Sequence, residues 1–562
     1  MSIIQQLVRY YDNDSSASPL GWSESRATYE IVIRSDGNLV GINPLGDKKN
    51  PRFMRVPTAP SRTRGIVPAC LYEKADYTLG RKEEAHTASV QSHGSIPKTI
   101  DGIEAVQAFL ATANTLELSL EQLALVEAGG FGVFRLEGAA AYVHESKDFK
   151  DWWENRIDHA RWWMDDIEGI VIGQCSVTGQ TGPITRVHSK IKGVDGTGGK
   201  PGSSSPTPLI AVNIPSAFHC GMDQGYVSSV SMSAAHKYVS ALNKLLADTS
   251  HRRVVGRDTW TWWTDKPSMA GTMLSVLLGG TYTITDKTSA QDAALITSQR
   301  ELMSSLLRGT KPPEMNGKVF LLGMRGSKSR IGIIFWDEIA TDDLYRNVTR
   351  HLTDMGVDGV SVKDIALASV HYASSFLPAT NDIIEAILHG TQYPLQLLQG
   401  CLDQLRTESI KDHEDKRRYK AQISLVRAYL SRTEGGICNM EISASYQMGR
   451  LMAALDFIAM KAIGRKTGAY STAMLTPAYS IPQQRRTAEH RIEKIGGLGV
   501  YMTRLIQDIT INVSDFPSYL SLDDQGRFTL GYDHQMTHLY SGEAFAPYKT
   551  IAATPEFVSE TV

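Results

Sequence analysis

The sequence predicts an α+β protein in which a mixed N-terminal α/β region with hairpins is followed by a C-terminal helical bundle. Two observations predict this order. Within residues 28–42, two alternating apolar runs flank Asp36-Gly37, a pattern typical of a β-hairpin. From about residue 342 onward, apolar side chains recur three and four positions apart, which is typical of packed helices.

The length of 562 residues is too great for one compact core. We predict four segments: an N-terminal mixed domain over 1–145, a second mixed domain over 146–340, a helical linker region over 341–439 and a C-terminal helical bundle over 440–562. No apolar run approaches the roughly 18 residues that a membrane helix needs. The five cysteines are scattered without a CxxC pair, which favours reduced thiols. We therefore expect a cytoplasmic protein with no membrane contact.

A basic segment follows the first predicted hairpin. The net charge of the whole chain is −2, but between Asp47 and Gly65 six basic residues accompany that single acid. Prolines interrupt the segment and no helical periodicity is present, which predicts an extended loop or edge segment with its arginines in solvent. Such a local positive surface is what phosphate binding requires. The basic residues are Lys48, Lys49, Arg52, Arg55, Arg62 and Arg64.

A second basic segment lies at 184–192, where basic and apolar residues alternate. In a strand or extended loop this alternation puts most donors on one side, where they can face phosphates or base edges. An ordinary charged and exposed strand face explains the pattern equally well. The donors are Arg186, His188, Lys190 and Lys192. Asn213 and Gln224 flank the next segment and could pair with adenine, although a single amide is usually a turn residue.

The second mixed region contains several local signals. Trp152, Trp153, Trp162 and Trp163 lie in one predicted helix, which indicates an aromatic core face or, alternatively, a stacking platform for unpaired bases. Residues 193–208 are rich in glycine and serine and predict a flexible loop. A helix over about 231–247, a strand carrying Trp260, Trp262 and Trp263, and a hairpin over 319–336 follow.

Signatures of catalysis are missing from the sequence. It contains no HExxH, no GxSxG and no Cys/His pair at ligand spacing. The stretch 193–201 lacks the P-loop register, and Pro201 stands where a P-loop has Ser or Thr. His413 and its acidic neighbours in 411–415 indicate a solvated face rather than a metal site. We therefore expect no enzyme, no metal and no cofactor, with a metal-dependent nuclease as the remaining enzymatic alternative.

Six blocks spread along the chain carry a resemblance to a known family. The chain resembles the large subunit of the type I-C CRISPR surveillance complex (Cascade). The block CSVTGQTGPITRVHSKIKGV at 175–194 is the most specific, and FPSYLSLDDQGRFTLGYDHQ at 516–535 is the second. The other four are EIVIRSDGNLVGI, RGIVPACLYEKADYTLG at 64–80, VNIPSAFHCGMDQG at 212–225 and SRIGIIFW at 329–336.

The resemblance implies a role in RNA-guided DNA recognition. Such a subunit sits beside the foot of the guide-RNA-bound Cascade backbone and recognises the protospacer-adjacent motif (PAM) in target double-stranded DNA. It helps to separate the strands and recruits the CRISPR helicase-nuclease, while guide pairing reads most of the target. The implied partners are the backbone and foot subunits, a small helical subunit, the target duplex and the helicase-nuclease. A scaffold that holds other subunits without reading DNA is the alternative.

Two features qualify the resemblance. In the 64–80 block the family has an Asn-aromatic-Leu run followed by an acid-Asn pair, where this chain has Ala69-Cys70-Leu71 and Glu73-Lys74. If that loop reads bases, either the recognised motif differs or other residues carry the reading. The family can also translate its small subunit from an internal start, and Met440 after Glu434-Gly435-Gly436 is a candidate. An ordinary acidic-glycine loop between helices explains that stretch as well.

Overall fold

The computed structural model describes residues 2–46, 52–59, 66–158, 171–279, 316–356, 381–407, 413–433, 443–463 and 478–541, with Thr297, residues 301–302 and Ser305. These residues form two compact units. The N-terminal unit comprises those of 1–193, 205–244 and 329–331, and the C-terminal unit those of 194–204, 245–328 and 332–562. The predicted α+β class is confirmed, while the division into four domains stays a prediction.

The N-terminal unit combines short strands with helices. Its strands are β1 Trp22–Ala27, β2 Tyr29–Ile33, β3 Leu39–Pro44, β4 Arg52–Pro57, β5 Tyr72–Glu73, β6 Gly132–Leu136, β7 Ile172–Gln174, β8 Thr181–Pro183, β9 Lys190–Ile191 and β10 Thr207–Pro208. Its helices are α1 Ile3–Asp12, α2 Ala75–Thr78, α3 Glu83–Gly94, α4 Ile103–Thr112, α5 Leu120–Glu127, α6 Lys147–Asp158 and α7 Met232–Ala247, the last three residues of α7 falling in the C-terminal unit. Short 3-10 helices cover Ala113–Thr115, Val143–Glu145, Pro215–Ala217 and Gln224–Ser228.

The central sheet of this unit has the strand order β3-β2-β6-β5. Strands β2 and β3 form the predicted hairpin, and Gly37 takes the left-handed conformation that its turn requires. β2 runs parallel to β6, and β5 runs antiparallel to β6. Since side chains alternate along a strand, Phe134 of β6 packs among the helices while its neighbour Val133 packs under β4. The sheet therefore has helices on one face and the β1–β4 ladder on the other.

Helix α6 carries the first two of the four tryptophans. Trp153 is buried and donates its indole N–H to the Gly21 carbonyl at 3.0 Å, and Trp152 packs partly buried against the same core. The core interpretation is therefore confirmed for this pair. Trp162 and Trp163 lie outside the described residues.

The C-terminal unit combines a sheet with a long helical part. Its strands are β11 Arg252–Val255, β12 Asp258–Thr264, β13 Lys318–Ser327 and β14 Arg330–Ala340, the first two residues of β14 falling in the N-terminal unit. They are hydrogen-bonded in chain order, which confirms the predicted tryptophan strand and second hairpin. The helices are α8 Ala270–Leu277, α9 Thr341–Met355, α10 Asn381–His389, α11 Leu395–Thr407, α12 His413–Thr433, α13 Ala444–Ile463, α14 Ile481–Ile492, α15 Leu498–Thr510 and α16 Leu522–Ser541. Short 3-10 helices cover Ala478–Ser480 and Glu493–Ile495.

Two apolar cores hold the C-terminal unit together. The first joins Trp260 and Trp262 of the sheet to helices α8–α12, and the second lies among α13–α16, as predicted for a bundle. Helices α13 and α16 approach so closely that a Cβ on Gly531 would lie 2.1 Å from the Tyr446 carbonyl oxygen. Met440 and residues 434–436 lie outside the described part of the chain. Of the helices the structure describes, none is long and apolar enough to cross a membrane.

Candidate nucleic-acid interface

The β1–β4 ladder presents basic side chains to solvent. The two strands are antiparallel, with Glu24 opposite Arg55 and Arg26 opposite Phe53. Along β4, Met54 and Val56 are buried whereas Phe53 and Arg55 are exposed, because neighbouring residues point to opposite faces. The described part of the segment 47–65 is thus an edge segment with exposed arginines, as the sequence predicts.

Each of the two β4 arginines has a contact that limits its motion. The Arg52 guanidinium lies over the Tyr142 ring, 5.6 Å from its centroid. The Arg55 Nε atom lies 3.5 Å from a carboxylate oxygen of Glu24, and both side chains are about half exposed. An ion pair this open to water is worth little, so Arg55 can exchange Glu24 for a phosphate at small cost.

Phe53 lies two residues before Arg55 on the same side of β4 and is 63% exposed. An apolar ring in that position costs free energy in water unless a partner covers it. A ring beside cations can stack on bases, because every base has a π-face. Phe53 was not among the predicted site residues, although alternation along 52–57 places it on the face opposite Met54 and Val56.

Beneath the ladder, a charge pair fixes the central sheet. Glu30 of β2 accepts from the Arg135 guanidinium at 2.6 and 3.0 Å and from the Asn43 amide at 3.0 Å. Burial alone would raise the pKa of Glu30, but these hydrogen bonds and the Arg135 charge outweigh it and hold that pKa below its ordinary value. The carboxylate stays ionised and keeps Arg135 in place beside Tyr142, the residue under Arg52.

The loop 69–74 belongs to the 64–80 block and is held in place by hydrogen bonds. Its Glu73 carboxylate is buried and accepts from the Ala69 and Lys74 amides, each at 2.7 Å. Leu71 has a φ of +53° and donates its amide to His93 Nε2 at 3.3 Å. Burial lowers the pKa of His93 to about 4, so the ring stays neutral and able to accept.

This loop, held by Glu73, places one exposed cation beside the β1–β4 ladder. Ala69, Cys70 and Leu71 are buried, whereas the Lys74 ammonium lies 5.5 Å from the centroid of the Phe131 ring. Phe131 stacks on Tyr72, whose hydroxyl donates to the Arg26 carbonyl of β1 at 2.9 Å. Lys74 is a candidate that the sequence analysis missed, because only the fold places it near β1.

The segment 184–192 differs from the expected alternating face. It forms a strand only at Lys190–Ile191 and bends at residues 186–187. Arg186, Lys190 and Lys192 are exposed, but His188 is buried and shares a hydrogen bond of 2.9 Å with the Tyr238 hydroxyl. His188 therefore does not share the exposed side with the other three, because helix α7 covers its ring.

The remaining predicted residues fall into two groups. Asn213 is exposed on a loop, and Gln224 is half-buried with a φ of +49°. The residue after Gln224, Gly225, donates its amide to the Arg186 carbonyl at 2.8 Å, so Gln224 is brought near Arg186. No hydrogen bond, ion pair or ring contact that the structure describes joins Arg52 or Arg55 to these residues. Lys48, Lys49, Arg62 and Arg64 lie outside the described residues.

Groups that could support chemistry are sparse in the part of the chain that the structure describes. Within it, no group of three or more His, Cys, Asp or Glu side chains could hold a metal ion. The side chains of His413 and Glu414, and residues 411–412, lie outside that part. Cys70, Cys175, Cys220 and Cys401 form no disulfide within the described residues.

Comparison with known proteins identifies the family. The family model described as CRISPR-associated protein (Cas_Csd1) matches residues 7–540, a span that includes β4, the 69–74 loop and the segment 184–192. No curated protein matches the chain. The match agrees with the resemblance to the type I-C large subunit and supports a subunit of a Cascade complex. The chain therefore belongs to the CRISPR-associated Cas_Csd1 family.

Proposed function

We propose that this protein is the DNA-recognition subunit of a type I-C Cascade and has no catalytic activity of its own. It recognises the PAM in duplex DNA, assists strand opening and recruits the helicase-nuclease. The observation that carries the proposal is strand β4, where Phe53 and Arg55 point to solvent opposite buried Met54 and Val56, and Arg52 is exposed at the start of the strand. Because guide pairing reads most of the target, the protein needs only a few backbone contacts and a short reading surface.

The grip on the duplex comes from β4 and its surroundings. Arg52, Arg55 and Lys74 offer exposed cations to phosphate oxygens. Lys48, Lys49, Arg62 and Arg64 belong to the segments on either side of β4 and add to the same positive stretch. Each phosphate that such a cation neutralises releases counterions, so the binding depends steeply on salt.

Phe53 gives the same surface a means to stabilise separated strands. Its ring is exposed, and the β1–β4 ladder holds it on the same side of β4 as Arg55. A base that leaves the stack can rest on an aromatic ring, and such stacking is worth about 1–3 kcal/mol per base. Phe53 would thereby favour the open over the paired DNA next to the motif.

Base reading requires side chains that distinguish base edges. Asn213 and Gln224 have amide groups suited to adenine, and Arg186 beside Gln224 could pair with guanine. Loss of a bidentate contact of this kind costs about 1–3 kcal/mol at one base pair only. Replacing Asn213 or Gln224 by alanine should therefore relax the motif at one position without weakening binding to all sequences equally.

The proposed partners follow from the proposed role. They are the guide-RNA-bound backbone and foot subunits, the small helical subunit, the target duplex and the helicase-nuclease. We place the protein in the cytoplasm, since its five cysteines are scattered without a CxxC pair, as is usual in a reducing compartment.

The experiment measures the binding of the assembled complex to a duplex library with random base pairs beside the guide-matched sequence. Wild type should enrich one short motif. The double variant Arg52→Ala/Arg55→Ala should bind all members more weakly, with a salt slope shallower by about 2, since each phosphate that is no longer neutralised lowers the slope by about 0.9. Arg34→Ala is the matched control, because Arg34 is an exposed arginine of the same unit paired with Glu137.

Three outcomes would contradict the proposal. A wild-type complex that enriches no motif would favour a scaffold role. Unchanged affinity and salt slope in the double variant would remove β4 from the interface. DNA cleavage by the purified protein with magnesium or manganese alone would indicate the nuclease alternative.

A further inference from the structure

The glycine-rich loop 194–204 is folded against one end of the sheet in the C-terminal unit. Val194, Asp195 and Thr197 are buried, and the Asp195 amide donates to the Thr259 hydroxyl of β12 at 2.9 Å. A Cβ on Gly196 would lie 2.6 Å from the carbonyl oxygen of Gly326 in β13. The loop is thus packed against β12 and β13, whereas its composition predicts a flexible segment.

The backbone amides of this loop are used within the loop itself. Gly196 and Gly198 both donate to the Ser203 carbonyl, and Gly199 donates to the Gly196 carbonyl. The Lys200 amide donates to the Ser203 hydroxyl at 3.2 Å. An anion-binding nest needs successive amides that point outward without partners, so these four amides do not form one.

The loop and the sheet end together expose four cations. Lys200 comes from the loop, and Arg257 comes from the two-residue turn between β11 and β12. Arg325 comes from the end of β13, and Lys328 from the turn that follows β13. The Lys328 Cγ atom lies 4.0 Å from the position of a Cβ on Gly199, which brings Lys328 next to Lys200.

The acids in these segments offset only part of this charge. They are Asp195 and Asp258, and both are buried. Asp258 accepts two hydrogen bonds from the Arg325 guanidinium, at 2.6 and 2.8 Å, so these two charges cancel. Lys200, Arg257 and Lys328 form no ion pair with any residue that the structure describes. We call these three residues and their supporting loop the loop platform.

We propose that the loop platform binds the phosphate backbone of duplex DNA, as a second contact besides β4. The inference rests on the proposed function, because it concerns the same target DNA. Three cations from three segments suit phosphates along a backbone, whereas a single-strand site would need exposed rings for stacking. The aromatic residues next to the platform on β12, Trp260 and Trp262, are buried. Contact through phosphates alone adds affinity without sequence preference.

The test uses the assembled complex and a fluorescent duplex that lacks the guide-matched sequence, with affinity measured by anisotropy over a range of salt. The triple variant Lys200→Ala/Arg257→Ala/Lys328→Ala should bind at least roughly ten-fold more weakly at low salt. Its salt slope should be shallower by about 2.7, or about 0.9 for each phosphate that these cations neutralise. Lys318→Ala is the matched control, since Lys318 lies at the other end of β13 and is paired with Glu338 at 2.5 Å. The control should bind as wild type does.

A second variant tests whether the packing of the loop against β13 matters for binding. Gly196→Ala keeps every cation but forces the loop away from Gly326, and it should weaken duplex binding with an unchanged charge. Unchanged duplex affinity in the triple variant, or a loss confined to single-stranded DNA or RNA, would overturn the inference.

The two proposals can fail separately. If Arg52→Ala/Arg55→Ala weakens duplex binding and the triple variant does not, the loop platform is wrong and the proposed function stands. If only the triple variant weakens binding, β4 is not the grip. If the wild-type complex does not bind DNA, both are wrong.

Discussion

Strand β4 and the segment 184–192 are both basic, yet the fold presents them differently. β4 pairs with β1 along all of Arg52–Pro57, so its side chains alternate between a buried cluster and solvent. The segment 184–192 pairs as a strand only at Lys190–Ile191, and its backbone bends before that point. As a result His188 is buried, although it lies two residues from exposed Arg186 and two from exposed Lys190.

The difference shows when alternation of basic and apolar residues in a sequence predicts one exposed face. A partner strand holds the backbone extended, and only then do residues two apart point the same way. Without a partner, tertiary packing decides each side chain separately. In the segment 184–192, Tyr238 of α7 binds the His188 ring, and Asn243 of the same helix binds the backbone of Lys190 and Lys192.

The largest effect should come from reversing the charges on β4. In the variant Arg52→Glu/Arg55→Glu, attraction to phosphates becomes repulsion, and duplex affinity should fall on the order of 100-fold at low salt. Anisotropy titration of the assembled complex measures this loss. Arg52→Lys/Arg55→Lys keeps the charge and should lose much less. Equal losses in both double variants would show that packing of the arginines, rather than their charge, matters.

The next effect separates His188 from its exposed neighbour. His188→Ala removes a buried ring and its hydrogen bond to Tyr238, so unfolding free energy should fall by about 2 kcal/mol. DNA affinity of the folded protein should not change. Arg186→Ala should do the opposite, with weaker DNA binding and an unchanged melting temperature. Thermal denaturation and anisotropy on the same two proteins test the contrast, which fails if His188→Ala weakens binding without loss of stability.

A pH dependence should accompany the burial of His188. Burial lowers its pKa from the ordinary 6.5 to about 4. Between these values the unfolded chain takes up a proton that the folded chain does not, so His188 makes stability fall as pH drops from 6.5 towards 4. The loss is roughly 3 kcal/mol at most, at about 1.4 kcal/mol per pKa unit.

The measurement is a comparison of denaturant unfolding across that pH range. His188→Gln cannot titrate, so its stability should depend less steeply on pH than that of wild type. His219→Gln serves as the control, because His219 is exposed. Parallel pH profiles for wild type and His188→Gln would contradict the assignment.

Local patterns predicted much of the fold and only part of the site. The β2–β3 hairpin, helix α7 and the bundle helices follow from turn residues and periodicity within one element. The β1–β4 pairing could not be found this way, because the β2–β3 hairpin separates the two strands. Lys74 was missed for a related reason. Its position beside Phe131 depends on the loop that the Glu73 carboxylate holds through the Ala69 and Lys74 amides.

The smallest effect should come from Glu24, the acid opposite Arg55. Its carboxylate competes with phosphate for Arg55 and repels DNA, but both side chains are about half exposed and the pair is weak. Glu24→Gln keeps the shape of the side chain and should tighten duplex binding about two- to three-fold, an effect that disappears as salt rises. Glu104→Gln, which alters an exposed ion pair with Lys98 in the same unit, should leave binding unchanged. If Glu24→Gln weakens binding instead, Glu24 holds Arg55 in the conformation that DNA requires, and the ladder positions its cations more tightly than their exposure indicates.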